Sequence, residues 1–268
     1  SVMCTVFGYW GKGLDKNDIR KCLAATITRG PDDERILELN GQGFLGFQRL
    51  AIMDLSESGM QPFELSGSAV VCNGEIYGFR PMKEELLKKG YGFRSDSDCE
   101  ILLPLYREYG AKMFGMLDAE YALIIYDADR KQLVAARDPI GIRPLYYGYT
   151  EDGGIAFASE PKELVSICKR IMPFPPGCYY MDGEFVRYTD ITKTYPELRS
   201  DDEETILKNI REKLIAGVEK RLDADAPLGF LLSGGLDSSL VCSIAAKILG
   251  KRIRTFSIGM AKDAIDLK

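Results

Sequence analysis

Met3-Cys4-Thr5-Val6-Phe7-Gly8 begins the first β-branched and aromatic run of the chain. A cysteine stands directly behind a methionine able to serve as initiator. The expectation is that Met3 is removed, that Ser1 and Val2 are no part of the native start, and that Cys4 becomes the first residue. An amino-terminal cysteine carries a nucleophile and a base, its own α-amine, on one residue.

Composition sharpens that expectation. The 268 residues contain no histidine, which removes Ser-His-Asp triads, Cys-His pairs and histidine-ligated zinc sites. A lysine, with a reference pKa of about 10.4, is almost wholly protonated at neutral pH, whereas an α-amine at about 7.7–8.0 is substantially available as a base. The terminal amine is therefore the most economical partner for a cysteine. A net charge of -5 gives no electrostatic case for nucleic acid or an anionic membrane. No run of about 18 apolar residues suggests a membrane span, and the start lacks the basic and apolar regions of a signal peptide. The seven cysteines are widely spaced, without a C-x-x-C pair, which fits reduced thiols in the cytoplasm better than a disulfide framework.

Along the chain, residues 4–10 read as a strand and 15–25 as a helix. Arg29-Gly30-Pro31-Asp32 follows as a turn, and 44–53 as one long strand or a strand pair. Residues 69–72 read as a short buried strand closed by an Asn73-Gly74 turn. Helical patterns cover 83–89 and 98–109, with Asp98 at or near the amino end of the latter. Strands then dominate: 121–126, 132–137, 145–149, 155–159, 178–181 and 185–188. This order predicts an α+β fold, with stacked antiparallel sheets and helices on their outer faces. Residues 190–200 are polar and aperiodic and read as a linker, which sets domains of 1–195 and 196–268. Beyond it, 201–222 is an amphipathic helix with a Ser200-x-x-Glu203 capping box. Strand 228–232, a glycine-rich loop, helix 238–249 and strand 254–258 read as a βαβ unit, the beginning of an α/β parallel-sheet domain.

Single residues carry little: most arginines are solvated, and Asn73-Gly74-Glu75 alone is a tight turn. Together they make a site for a free amino acid with a side-chain amide. Arg49 suits the α-carboxylate by bidentate pairing, and Asp98 suits the ammonium. The Asn73 amide and the Gly74 N–H suit a developing oxyanion, since glycine lets backbone approach a reacting carbonyl.

Met3-Cys4, Arg29-Gly30-Pro31-Asp32, Arg49-Leu50-Ala51-Ile52-Met53-Asp54, Asn73-Gly74-Glu75-Ile76-Tyr77 and Ser97-Asp98 resemble the class II, N-terminal-nucleophile glutamine amidotransferases. Residues 136–147, Ala-Arg-Asp-Pro-Ile-Gly-Ile-Arg-Pro-Leu-Tyr-Tyr, and Phe157-Ala158-Ser159-Glu160 look like the family's later landmarks and read as structural. The resemblance implies an αββα sandwich. In it, Cys4 attacks the glutamine amide, Asn73 and Gly74 assist, and Arg49, Leu50, Ile52, Asn73, Gly74, Glu75 and Asp98 form the glutamine pocket. The family often has histidine before Arg29 and before Arg49, where this chain has Thr28 and Gln48. Neither is a motif ligand, so activity is expected to survive. If Met3 stays attached, however, the Cys4 nitrogen is an amide and cannot act as a base.

Ser233-Gly234-Gly235-Leu236-Asp237-Ser238-Ser239 is the second strong motif. Adjacent glycines at a helix start expose N–H groups to an anion, and the spacing is not that of a kinase-like P-loop. It resembles the pyrophosphate loop of the ATP pyrophosphatases. That implies ATP contacts at Leu232, Ser233, Gly234, Gly235, Asp237, Ser238, Ser239 and Ile258, with Asp237 on a magnesium ion. A class II glutaminase followed by this loop resembles the glutamine-hydrolysing asparagine synthetase family. The implied substrates are L-glutamine, L-aspartate and ATP with Mg2+, and a homodimer is compatible with the sequence. The alternatives are another class II amidotransferase with a different acceptor and a non-catalytic fragment. Sugar-phosphate or phosphoribosyl enzymes lack the loop, and β-lactam synthetase-like enzymes lack the terminal cysteine. Ending at Lys268, the chain reads as part of a longer protein, with apolar faces after about residue 195 short of cover.

Overall fold

The computed structural model describes residues 3–51, 56–193, 200–225 and 227–259. The chain divides into two compact units, Ser1–Lys193 and Thr194–Lys268.

In the first unit, two six-stranded sheets are stacked face to face. One contains β1 (Thr5–Trp10), β2 (Asp33–Glu38), β3 (Gly43–Arg49), β8 (Tyr146–Thr150), β9 (Ile155–Ala158) and β10 (Cys168–Pro173), in the order β10-β8-β9-β1-β3-β2. The other contains β4 (Phe63–Leu65), β5 (Ser68–Ile76), β6 (Ala119–Asp127), β7 (Gln132–Arg137), β11 (Cys178–Met181) and β12 (Glu184–Arg187), in the order β12-β11-β7-β6-β5-β4. All pairings in both are antiparallel.

The two-residue period of a strand explains the layering. Val6 points into the core between the sheets with Leu45, Phe47, Val71, Ile124 and Phe157. Phe7 and Tyr9 point the other way, against Ile19, Cys22 and Leu23 of α1 (Lys16–Ala24). That helix starts on a reciprocal cap. Asp15 accepts the N–H groups of Asn17 and Asp18, and Asp18 accepts the N–H of Asp15. On the opposite side, α3 (Leu102–Tyr109) packs against β4 and β5, and α2 (Phe79–Lys88) against the 3-10 turn Asp98–Ile101 that precedes α3. Helices thus cover the outer faces, as the pattern of elements predicted.

Several local readings change. Asn73-Gly74 is not a turn: β5 runs through it, with Asn73 opposite Ala122 and Gly74 opposite Tyr121. Pairing along the whole length of β6 overrides the local turn propensity, and the chain bends at Gly78 instead, where φ is 66°. The cap before the 98–109 helical segment is Ser97, which accepts the Cys99 N–H, so Asp98 is free for other contacts. Strands β2, β4 and β10 were not foreseen. They are short or exposed, and their burial does not alternate clearly enough for apolar periodicity to mark them.

The loop after β7 is built around one carboxylate. Asp138 is 1 % exposed and accepts the backbone N–H groups of Tyr121, Ile140, Gly141, Ile142 and Arg143. Arg137 grips the same loop, donating to the carbonyls of Gly141, Arg143 and Phe174.

The second unit contains α4 (Glu203–Lys220), β13 (Phe230–Leu231), α5 (Leu236–Leu249) and β14 (Thr255–Phe256), the strands paired in parallel. Its βαβ order is the one predicted. The α4 cap is Asp202, whose carboxylate accepts the Thr205 N–H, and not Ser200 with Glu203. Asp202 lies one turn ahead of Thr205 in extended conformation, which is the geometry a cap requires.

Asp138→Ala removes the acceptor of all five N–H groups; the bonds of Tyr121 and Arg143 are buried, at about 1–3 kcal/mol for each group that water cannot reach. Urea unfolding should show a loss of at least about 2 kcal/mol; a loss below about 1 kcal/mol would refute the role of Asp138 as the hub of the loop.

Candidate active site

The register of β1 and β3 sets Thr5 opposite Gln48, which brings Cys4 beside Arg49 on the inner face of the first sheet. Asn73 shares its face of β5 with Val71, so it looks back from the second sheet into the same seam. A cavity there is lined by Met3, Cys4, Arg49, Leu50, Gln61, Asn73, Gly74, Glu75, Asp98 and Arg143, with Phe47, Gly59, Cys72, Ser97 and Cys99 completing the wall. Cys4, Arg49, Leu50, Asn73, Gly74, Glu75 and Asp98, far apart in sequence, therefore meet in one place. Ile52 lies outside the described residues.

Each side chain has a reason for its position. The Cys4 Sγ lies 3.3 Å from both the N–H and the carbonyl oxygen of Leu50. The turn at Gly30 and Pro31 fixes that backbone, since Asp32 N–H donates to the Arg49 carbonyl and the Asp32 carboxylate accepts the Ala51 N–H. Arg29, nearly buried, donates to the Cys4 carbonyl at 3.2 Å and pairs with Glu160 at 2.8 Å. Arg49 is 7 % exposed and donates to the Ser56 carbonyl.

Strand β4 covers β5 only as far as Val70, so the later N–H groups on that edge need other acceptors. The Gln61 amide takes the place of a strand at Cys72, accepting its N–H at 2.6 Å and donating to its carbonyl at 3.0 Å. The Asp98 carboxylate accepts the Ile76 N–H at 2.6 Å. Gly74 lies between these two with the same parity, so its N–H also points away from β6 and into the gap they leave. Tyr121, opposite Gly74, confirms the parity by directing its own N–H and carbonyl to Asp138. A Cβ at Gly74 would stand 2.5 Å from the Glu120 carbonyl oxygen, so only glycine fits. The Asn73 Nδ2 is buried with no hydrogen-bond partner among the described residues.

Electrostatics distinguish the acid groups. Burial pushes the Cys4 thiol up to about 11, against the opposing Leu50 hydrogen bond and the positive field of Arg143. Burial also raises the Asp98 carboxyl, partly offset by the N–H groups of Ile76 and Cys99. Arg143 belongs to the 136–147 motif read as structural. Its backbone is indeed held by Asp138, yet its side chain, paired with Glu120 at 2.8 Å, reaches the cavity wall. Gln61 was missed, because an isolated Gln-Pro step says nothing about a backbone 11 residues away.

In the second unit, Ser233 and Ser238 share a hydroxyl contact at 3.0 Å, and the Ser238 hydroxyl also accepts the Ser233 N–H. Gly234 has φ 88°, and Gly235 caps α5 in extended conformation without a side-chain acceptor. Asp237 lies in the first helical turn, and Ser239 donates its N–H to Gly235 within the helix. Leu232 donates its N–H to the Phe256 carbonyl, and Ile258 is 98 % exposed. The loop residues are therefore gathered at one helix start, while Ile258 protrudes. Among the described residues, no group of three or more acidic, cysteine or histidine side chains could hold a metal. No described helix is long and apolar enough to cross a membrane.

The profile of the glutamine amidotransferase domain family matches residues 3–175, and that of asparagine synthase matches 209–268. A probable asparagine synthetase (glutamine-hydrolyzing) of Acanthamoeba polyphaga mimivirus is 40% identical over 96% of this chain and 51% of its own length. One from Schizosaccharomyces pombe is 45% identical over 82% and 40%. Asparagine synthetase (glutamine-hydrolyzing) 3 of Arabidopsis thaliana is 41% identical over 90% and 43%. The chain thus spans about half, or somewhat less, of the length of the curated relatives it matches. Among solved structures, glutamine phosphoribosylpyrophosphate amidotransferase from B. subtilis shares the fold, with a TM-score of 0.60 at 19% identity over 97% of this chain and 67% of its own.

With Met3 attached, alkylation of Cys4 by iodoacetamide should keep accelerating with pH toward about 11. An inflection below about pH 8.5, the ordinary thiol range, would show that burial does not control this thiol.

Proposed function

The chain belongs to the glutamine amidotransferase domain family, and from that premise we propose that it releases ammonia from glutamine at Cys4 for an ATP-dependent synthesis of asparagine. The observation that carries the glutaminase half is the Asn73 Nδ2, a buried donor without a partner among the described residues, in the cavity that holds the Cys4 thiol. A buried donor left unsatisfied costs about 1–3 kcal/mol. An amide oxygen that becomes an oxyanion on attack repays it most fully, with the Gly74 N–H as the second donor.

The steps follow from the chemistry of the residues. Removal of the residues before Cys4 turns its amide nitrogen into an amine. A thiol raised to about 11 needs such a base, and the α-amine takes its proton as Sγ attacks the side-chain carbonyl carbon. The amine then gives that proton to the leaving nitrogen, the C–N bond breaks, and ammonia departs from a thioester. Water, activated by the same amine, hydrolyses the thioester to glutamate and restores the thiol. Arg49 holds the substrate carboxylate and Asp98 its ammonium; bound ammonium favours the ionised form that burial disfavours. Leu50 positions the sulfur, and Ile52 and Glu75 complete the pocket.

For the second half, residues 1–195 form the glutaminase domain and 196–268 the beginning of the nucleotide domain. Leu232, Ser233, Gly234, Gly235, Asp237, Ser238, Ser239 and Ile258 would contact ATP. A lone Asp237 carboxylate suits Mg2+, which is commonly held by one or two carboxylates together with nucleotide phosphates. When bound, the metal neutralises phosphate charge as L-aspartate becomes its adenylate. Seven unpaired cysteines suit a reducing, cytoplasmic setting, and a homodimer is the assembly proposed.

Protein beginning at Cys4 should release ammonia from glutamine, and Cys4→Ala should abolish the release. Asn73→Ala should lower kcat by about 10²–10³ while changing stability by less than about 1 kcal/mol, because it deletes an unpaired donor. Unchanged ammonia release in Cys4→Ala would refute the mechanism. The longer protein of which this chain is a part, given glutamine, aspartate and ATP, should form asparagine and AMP; ADP as product would refute adenylation.

A further inference from the structure

Behind Cys4 lies a second ionisable cluster that the proposed reaction does not use. Glu163 is 0 % exposed, in the short turn Pro161–Glu163 that follows β9. One carboxyl oxygen, Oε2, accepts the Glu160 N–H at 2.8 Å. The other, Oε1, is buried with no hydrogen-bond partner among the described residues. Arg29 presents the complementary defect. Its Nη1 donates to Glu160 and its Nη2 to the Cys4 carbonyl, but its Nε is buried and has no partner among the described residues. An unpaired acceptor and an unpaired charged donor thus belong to one cluster, at the residue that grips the nucleophile's backbone.

Two carboxyl groups compete for one guanidinium here. While Glu163 is protonated, Arg29 belongs to Glu160 and to Cys4. Once Glu163 ionises, the low-polarity surroundings make its attraction for Arg29 strong, and its second oxygen becomes a charged acceptor that the Nε donor can answer. The contact with most to lose is the longest, the 3.2 Å bond to the Cys4 carbonyl. We propose that Glu163 is a positioning residue for the nucleophile, one whose neutral form leaves Arg29 on Cys4 and whose ionised form draws Arg29 away. The inference rests on the reading of Cys4 as the glutaminase nucleophile.

Burial pushes the Glu163 carboxyl up to about 8, opposed by the Glu160 N–H and the Arg29 charge, and reinforced by the Glu160 charge. The buried Cys22 thiol of α1 also feels its charge, and from the same turn Lys162 pairs with Glu160 at 2.9 Å, so Glu160 keeps a cation when Arg29 moves. At neutral pH the site therefore rests mostly in its neutral form, and the transfer of Arg29 belongs to the alkaline side.

The test compares pH profiles of glutamine hydrolysis by protein beginning at Cys4. If the ionised form is inactive, a group near 8 makes wild-type kcat fall by about tenfold between about pH 7 and about pH 9. In Glu163→Gln, which cannot ionise, most of that fall should vanish, with the change in kcat and not in KM, since Arg29 touches no substrate. Glu163→Ala, equally unable to ionise, should give the same ratio and serves if the glutamine variant misfolds. Thermal unfolding gives a second readout. The folded state keeps a proton that the unfolded chain releases, so wild-type stability falls as pH rises from about 4.5 to about 8, and the Tm advantage of Glu163→Gln should widen over that range. A variant whose kcat falls as steeply as wild type overturns this inference alone. Active-site failure of another kind is separable: wild-type protein without glutaminase activity overturns the reading of Cys4, and this inference with it.

Discussion

Strand β5 continues past the end of its neighbour β4, and the site depends on how that exposed edge is satisfied. Buried backbone N–H groups require acceptors, and at the positions beyond Val70 no strand supplies them. A side-chain amide from Gln61 serves Cys72, and a carboxylate from Asp98 serves Ile76. The group between them, Gly74 N–H, has neither, and it lies beside the Asn73 Nδ2, which has no partner among the described residues. An incomplete sheet edge, patched on both sides of one residue, leaves these donors lining the cavity that also holds the cysteine of the opposite sheet. Asp98 has a double assignment in this arrangement. One oxygen completes the sheet, and the raised carboxyl remains available to a cationic substrate group.

The opposing wall is fixed by tighter means. Cys4 is held through its sulfur by Leu50 and through its carbonyl by Arg29, while Asp138 freezes the loop that delivers Arg143 to the cavity. Neither device is large, yet each converts a loop into a rigid support, which a reacting geometry requires. The positive field of Arg143 at the thiol shows that a motif with a structural backbone can have a side chain with other business.

Much of this was legible in the sequence because the relevant patterns are local. Short β-branched, aromatic and apolar runs marked β1, β6 and β7, and helical spacing marked α1, α4 and α5. The absence of histidine narrowed the chemistry before any geometry was known. What stayed hidden was long-range. Asn73-Gly74 reads as a turn in any window of a few residues, and only pairing with Ala122 and Tyr121 makes it a strand. Gln61 acts on Cys72 across a strand boundary, and Glu163 acts through Arg29 across more than a hundred residues. Side chains whose task is to satisfy distant backbone leave no periodic trace. The Asp202 cap was missed for a simpler reason, since Ser200 and Asp202 both offer cap-like oxygens and sequence alone does not rank them.

The grip of Arg29 on Cys4 has a mechanical implication for the peptide bond between Met3 and Cys4. Upstream of that bond, the described backbone contact is the Met3 N–H on the Arg29 carbonyl. Downstream, Cys4 is anchored by its own carbonyl and sulfur and then by the paired length of β1. Severing the bond would therefore cast off a lightly tethered residue and leave the new terminus moored. The amine would emerge on a residue whose conformational freedom has already been spent on folding, so little further ordering would separate cleavage from competence.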